Sequence, residues 1–285
     1  IMKLTQIPKI TRKQREILDL IYSHRFLTRI QIQAFLKHKD KKTINLWLKD
    51  LRSKNYINWI YDKDNFVEKT KPAIYYLGVN GIRHFSNFDA HPVDELRKRY
   101  REHERSQSFI DRSLLLAECC LDLADERNGT YYLKTRHYYE TEADYLNDQY
   151  YGFLIDDELI KPHLCYHVAP DEEYVHPDEI ESSYILEIFD ASLPRYRLRN
   201  RLKKYVQYLD EELAEWDTGT CGDPPPTVLL ICATLTDLIY AKRRTRGLLA
   251  EIWEHEDEDR PHIQFTTTEK LTEHGVLNQK IWEEA

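Results

Sequence analysis

The sequence has no apolar run of about 18 to 20 residues, the length that a membrane-spanning helix needs. Its first residues also lack an apolar signal core followed by a small-residue cleavage site. On these two absences we expect neither an integral membrane protein nor a secreted one. We therefore expect a soluble, cytoplasmic protein without a membrane partner.

Cysteine is also scarce, with five residues in 285. The number is odd, and no two cysteines show the two-residue gap of a zinc knuckle or a redox motif. We interpret them as buried or incidental thiols rather than metal ligands. They are Cys119, Cys120, Cys165, Cys221 and Cys232.

Charge is abundant but unevenly distributed. Residues 1–90 carry 18 Lys and Arg against 8 Asp and Glu, a balance of +10, whereas the remainder carries 23 against 41, a balance of −18. A hydrophobic content of 41% with 12% aromatic residues excludes a disordered chain. The length favours two domains, and the charge division suggests that the first suits a polyanion and the second repels it.

Three short helices are predicted in the first sixty residues. The first two begin with a capping box, in which Thr and a Gln three residues later satisfy each other's backbone N–H groups. Apolar residues then recur at helical spacing. The predicted helices cover about 12–23, 29–37 and 41–54, and their N-caps are Thr11, Thr28 and Asp40.

The third helix divides into two faces on a helical wheel. Its apolar arc holds Ile44, Trp47, Leu48 and Leu51, and its polar arc holds Lys41, Asn45, Lys49 and Arg52. Two strand-like segments follow at about 56–61 and 73–77, separated by a polar break. Three helices and a hairpin within residues 1–90 predict a winged helix-turn-helix domain.

In a winged helix the third helix enters the major groove of duplex DNA. Asn can read base edges there, and Lys or Arg can contact guanine or phosphate. The alternative is that the polar arc is only a solvated helix face. Double-stranded DNA is the predicted partner, bound by a homodimer, and the predicted contact residues are Lys41, Lys42, Asn45, Lys49, Arg52, Lys63, Lys69 and Lys71.

Residues 91–285 predict a second domain that mixes helices and strands. A long helix over about 94–126 ends near Asn128-Gly129, and further helices are expected at about 195–216 and 236–254. Strand-like tracts cover about 130–139, 163–168, 184–189 and 228–234. This order predicts an α+β or α/β domain with a mixed sheet. The Arg-rich start of the second helix, Arg195 to Arg201, either contacts phosphate or is solvated.

Several short motifs resemble the replication-relaxation family. They occur in the family's order: Tyr75-Tyr76-Leu77 with Gly81-Ile82, His103, Lys161-Pro162-His163, Leu186 to Asp190, Lys204 to Tyr208, and Pro226 to Leu230. The resemblance covers about residues 10–255. That family is known from plasmids and other mobile elements, and it implies a winged helix joined to a domain that resembles the PD-(D/E)XK nuclease fold.

The nuclease pattern needs two carboxylates to hold a divalent cation and a lysine to orient water. Here His163 stands where the family's first Asp would be, and Phe189 occupies the lysine position two residues after Glu187. Imidazole should weaken binding of Mg²⁺, which prefers oxygen ligands. The remaining candidates for catalysis are Glu187, Asp190, Lys203 and Lys204, and the candidates for a metal are His163 and Glu187. His163 and His167 are read as structural histidines.

We therefore expect a DNA-binding protein of a plasmid or other mobile element that acts in its replication, relaxation or transfer, without catalysis and without a cofactor. Replication or transfer proteins are possible partners. One alternative is a metal-dependent DNA-nicking or DNA-cleaving nuclease that uses Mg²⁺ or Mn²⁺. The other is a winged-helix transcriptional regulator.

Overall fold

The computed structural model describes residues 7–61, 70–88, 93–123, 131–137, 153–155, 158–160, 162–170, 182–217, 225–253 and 261–285. The chain forms two compact units. The first holds residues 1–121 and 139–147, and the second holds residues 122–138 and 148–285. No helix in the described ranges is long and apolar enough to cross a membrane.

The first unit combines helices with a three-stranded antiparallel sheet. Its elements are α1 Arg12–His24, β1 Leu27–Thr28, α2 Arg29–Phe35, α3 Lys41–Ser53, β2 Ile57–Ile60, β3 Ile74–Leu77, α4 Val79–Phe88, α5 Val93–Lys98 and α6 Gln107–Leu123. The strand order is β1-β3-β2. The predicted bounds of the first three helices and of both hairpin strands are confirmed to within two residues.

Local chemistry sets the starts of these helices. Both predicted capping boxes form, with the side chain of Gln14 bonded to Thr11 N and that of Gln31 bonded to Thr28 N. The Asp40 carboxylate accepts from the backbone N–H groups of the first turn of α3. The apolar stripes then meet in one core, where Ile17, Leu18, Ile21, Ile32, Ile44, Leu48 and Leu51 are fully or almost fully buried.

The prediction of a single long helix over 94–126 is wrong. The chain forms α5, a 3₁₀ turn at Glu102–Glu104 and then α6. The buried Glu102 carboxylate receives two hydrogen bonds from Arg25, at 2.9 and 3.0 Å, which hold the turn against the residue that follows α1. Ser106 then restarts the helix, because its Oγ accepts from Phe109 N. The first unit extends to position 121, beyond the boundary expected near 90, and the Gln31 side chain of α2 donates to Leu114 and Glu118 of α6.

The second unit is built on a six-stranded mixed sheet. Its elements are β4 Tyr131–His137, β5 Phe153–Ile155, β6 Glu158–Ile160, β7 Leu164–Pro170, β8 Ser182–Phe189, α7 Arg195–Asp217, β9 Thr227–Cys232, α8 Leu235–Ile252, β10 Ile263–Thr267, α9 Thr268–His274 and β11 Glu283–Glu284. The sheet order is β11-β10-β9-β8-β7-β4. Strands β8, β9 and β10 are parallel, and β7 and β4 are antiparallel to their neighbours.

The four predicted strand tracts and two later helices of this unit are confirmed, and the mixed α and β class is confirmed with them. Helices α7 and α8 are the crossovers between the parallel strands, and they pack on each other and on the sheet. The expected helix stop at Asn128-Gly129 lies outside the described residues.

Candidate nucleic-acid interface and nuclease-like site

The exposed face of α3 carries cationic and amide side chains. Ile44, Leu48 and Leu51 are buried, so the opposite side of the helix faces solvent. Five residues on successive turns of the helix are exposed there: Lys41, Lys42, Asn45, Leu46 and Lys49. Among these polar side chains, Leu46 retains 65% of its surface. This face can contact phosphates and a base methyl group together.

Arg52 differs from the other predicted contact residues. Its guanidinium carbon lies 3.4 Å from the centroid of the Trp59 ring on β2. The side chain is half-buried by this stacking. A cation–π contact of this kind restricts the rotamers of the arginine and leaves its edge available for hydrogen bonds. Arg52 is therefore held in place at the junction of α3 and the hairpin.

Basic residues also surround a shallow groove beside α2. The groove has a volume of about 570 Å³, and its lining includes Arg29, Ile30, Lys37 and Lys39. Ile30 is 54% exposed at its rim. Of the three lysines predicted on the hairpin, Lys71 is exposed, whereas Lys63 and Lys69 lie outside the described residues.

Glu187, the candidate catalytic carboxylate, lies on the face of the sheet that α7 covers. It is near the end of β8, paired with Leu230 of the parallel strand β9. Only 6% of its surface is exposed. Arg201 and Tyr205 are one turn apart on α7 and therefore share a helix face. Both reach Glu187, with Arg201 Nη2 at 3.1 Å and Tyr205 Oη at 2.5 Å from Oε2.

His163 approaches the second carboxylate oxygen. Its Nδ1 lies 3.2 Å from Glu187 Oε1 and also 3.2 Å from the backbone N of Ile188. Nδ1 can donate a hydrogen bond to the carboxylate or accept one from the backbone N–H, but a single tautomer cannot do both. His163 precedes β7 by one residue, and His167, within the strand, has no described side chain.

Glu187 is held as a carboxylate by these partners. Burial alone would raise its pKa, but the interactions with His163, Arg201 and Tyr205 outweigh burial and lower the pKa to about 2. Burial lowers the pKa of Arg201, yet the charge of Glu187 raises it overall. Burial and the adjacent carboxylate raise the pKa of Tyr205. The group is therefore a buried ion pair completed by a phenol hydrogen bond.

This arrangement does not fit a hard divalent cation. Both carboxylate oxygens of Glu187 already face donors, and the nearest charges, from Arg201, would repel Mg²⁺. Asp190 instead accepts hydrogen bonds from the backbone N and hydroxyl of Ser192. Within the described ranges, no group of three or more His, Cys, Asp and Glu side chains could hold a metal ion.

The lysine that the sequence suggested from α7 does not reach the carboxylate. Lys203 is exposed, Lys204 is half-buried, and neither pairs with Glu187. Sequence reasoning missed Arg201 and Tyr205 as the partners. Their spacing of four residues was a visible signal, but the register of α7 on β8 was not.

Two of the cysteines are held as thiols by burial. Burial raises the pKa of Cys165 and of Cys232 to about 12, so neither forms a thiolate near neutral pH. Cys119 and Cys120 are buried. Cys221 lies outside the described residues.

Comparison with known proteins gives one family. The sequence model of the replication-relaxation family matches residues 18–223. No curated protein matches the sequence. Two structures of restriction endonuclease FokI are similar, one without DNA at 14% identity and one bound to DNA at 13%, each with a TM-score of 0.30. Each covers 92% of this chain, which spans 43% and 44% of the two FokI chains, and at this TM-score nothing about its fold or activity follows.

Proposed function

The chain belongs to the replication-relaxation family, and from that premise we propose that it is a double-stranded DNA-binding protein of a plasmid or other mobile element. It acts in the replication, relaxation or transfer of that element. Its first unit is a winged helix, in which α3 enters the major groove and the hairpin β2–β3 is the wing.

The observation that carries the proposal is the exposed face of α3. That face combines an exposed Leu46 with Lys42 and Lys49, so it offers an apolar contact and cations together. Against a duplex, the leucine contacts the thymine methyl group, the lysines contact phosphates, and Asn45 reads an adenine edge. The order α1-β1-α2-α3-β2-β3 and its antiparallel sheet support this docking geometry.

The groove beside α2 extends the same surface. Arg29, Lys37 and Lys39 line it, and in the winged-helix geometry α2 crosses the DNA backbone next to the recognition helix. These side chains position the protein on phosphates and do not discriminate sequence. Arg52, stacked on Trp59, contacts a phosphate at the start of the wing.

The second unit does not cleave DNA in this proposal. A nuclease of this type needs a carboxylate that is free to hold a cation beside a water molecule. Glu187 is instead paired with Arg201 and Tyr205, and His163 and Phe189 replace the other two expected groups. At the position where such a nuclease would hold its metal ion, the unit has an ion pair that stabilises its fold.

The test is the recovery of DNA crosslinked to the protein in cells that carry the element. Enrichment of a replication or transfer origin, lost in a Lys42→Ala, Lys49→Ala variant of normal abundance, is the expected result. Enrichment confined to promoters would contradict it and favour a transcriptional regulator, since a winged helix can also occupy an operator.

A further inference from the structure

A second cationic surface lies on the two crossover helices of the second unit. Residues 195–204 contain six Arg and Lys and no acidic residue, and residues 242–246 contain four and none. Ten of the 23 basic residues that follow position 90 therefore fall in two short segments. The surrounding sequence is strongly acidic, so this local concentration is not an effect of overall composition.

The fold brings the two segments together. Because α7 and α8 connect the parallel strands β8, β9 and β10 in succession, they lie side by side and run in the same direction. The two helices contact each other directly through Arg195 of α7, whose guanidinium lies 5.0 Å from the centroid of the Tyr240 ring on α8. Arg244 covers the same ring at 5.3 Å.

The outer faces of both helices carry cations. On α7, Arg199 and Lys203 are exposed four residues apart, and on α8, Arg243 and Arg246 are exposed three residues apart, so each pair shares a helix face. Within the described part of the chain, none of these four forms an ion pair. Lys242 differs, because it pairs with Glu283 at 3.2 Å.

Large apolar and aromatic side chains are exposed at the start of the same two helices. Tyr196 is 62% exposed on α7, and Leu235 and Ile239 are 61% and 58% exposed on α8. Arg197 donates to the Tyr196 hydroxyl at 3.2 Å and holds that ring. A surface made only for duplex phosphates needs cations alone, whereas unpaired bases also need stacking and apolar partners.

We propose that the outer face of α7 and α8, formed by Tyr196, Arg199, Lys203, Ile239, Arg243 and Arg246, binds single-stranded DNA. The cations contact consecutive phosphates, and Tyr196 stacks on a base while Ile239 covers its neighbour. This surface is separate from α3 and does not depend on the function proposed for α3. In this proposal the second unit, although acidic overall, binds unpaired DNA strands.

The test uses the full chain and two fluorescent probes, a 30-nucleotide oligothymidylate and a duplex of equal length, titrated by anisotropy across salt concentrations. In the Arg199→Ala, Lys203→Ala, Arg243→Ala variant, we expect the slope of log affinity against log salt for the single strand to fall by about 2, from three contacts of about 0.7 each. Duplex affinity stays within about twofold of the unmodified protein. A charge-matched control replaces Arg83, Arg101 and Lys280, which are exposed on other elements.

Tyr196 separates stacking from charge. Tyr196→Ala should weaken single-strand binding about tenfold, whereas Tyr196→Phe, which keeps the ring, should not. Single-strand binding equal to that of the control variant would overturn the proposal. Equal losses on single-strand and duplex probes would overturn it too, because the surface would then be a duplex contact. Loss of duplex binding in α3 variants tests only the function proposed for α3.

Discussion

The buried carboxylate of Glu187 should make the stability of the second unit depend on pH. Its partners lower the pKa of Glu187 from the ordinary 4.5 to about 2. At about 1.4 kcal/mol per pKa unit, this difference corresponds to about 3 kcal/mol of stability. Because the folded-state pKa is depressed, the stabilisation is complete above about pH 4.5 and disappears as the pH falls to about 2. About 2 kcal/mol should be lost by pH 3.

The perturbation is Glu187→Gln, which removes the titrating group and keeps the size of the side chain. We expect the variant to be less stable at pH 7, because the largely buried Arg201 loses the charge of Glu187. The difference in free energy of unfolding between the variant and the unmodified protein should shrink between pH 4.5 and 2, because Glu187 of the unmodified protein becomes protonated in that range. Tyr205→Phe should cost about 1.5 to 3 kcal/mol at pH 7 through the lost hydrogen bond to a charged group.

The assay is urea unfolding followed by tryptophan fluorescence in a Trp47→Phe, Trp59→Phe background. The three remaining tryptophans belong to the second unit, which avoids mixing the transitions of two units. Glu283→Gln is the control, since Glu283 also has a lowered pKa but is partly exposed between Lys270 and Lys242. If Glu187→Gln shows the same pH dependence as the unmodified protein between pH 4.5 and 2, the carboxylate is not the buried anion described above.

Three further outcomes are expected. Asn45→Ala should reduce discrimination among duplex sequences by about 1 to 3 kcal/mol at one base pair while leaving the salt dependence unchanged, as measured by competition binding. Supercoiled plasmid incubated with the protein and Mg²⁺ should stay intact, and nicking that disappears in Glu187→Gln would contradict the ion-pair interpretation. Glu102→Gln should destabilise the first unit by about 3 to 5 kcal/mol in thermal or urea unfolding, because Arg25 and Arg99 remain buried around it without their shared anion.

The local part of the fold could be predicted from the sequence. The starts of α1, α2 and α3 follow from Thr11, Thr28 and Asp40, because a cap depends on residues within one turn. The buried strands β8 and β9 were visible as short apolar runs with flanking polar residues. Elements that depend on contacts between residues far apart in the sequence could not be predicted. Glu102, in the turn that interrupts the expected long helix, is bonded to Arg25, which lies 77 positions earlier.

The candidate site shows the same division. Glu187 could be singled out from its strand and from the family resemblance, but its state depends on which α7 residues face β8. That register is a tertiary property, and it selects Arg201 and Tyr205 over the neighbouring Lys203 and Lys204. The exposed Leu46, Tyr196 and Ile239 were equally hidden, since a helical pattern alone does not reveal which apolar side chains stay in solvent.

Duplex binding by a Lys41→Ala, Lys42→Ala, Lys49→Ala variant of the full chain tests the central claim most directly. Three lost phosphate contacts should lower the slope of log affinity against log salt by about 2.7, at about 0.9 for each contact. The charge-matched variant with alanine at Arg83, Arg101 and Lys280 should keep the original slope. If the two variants bind duplex DNA with the same affinity and the same salt dependence, α3 is not the DNA-binding helix.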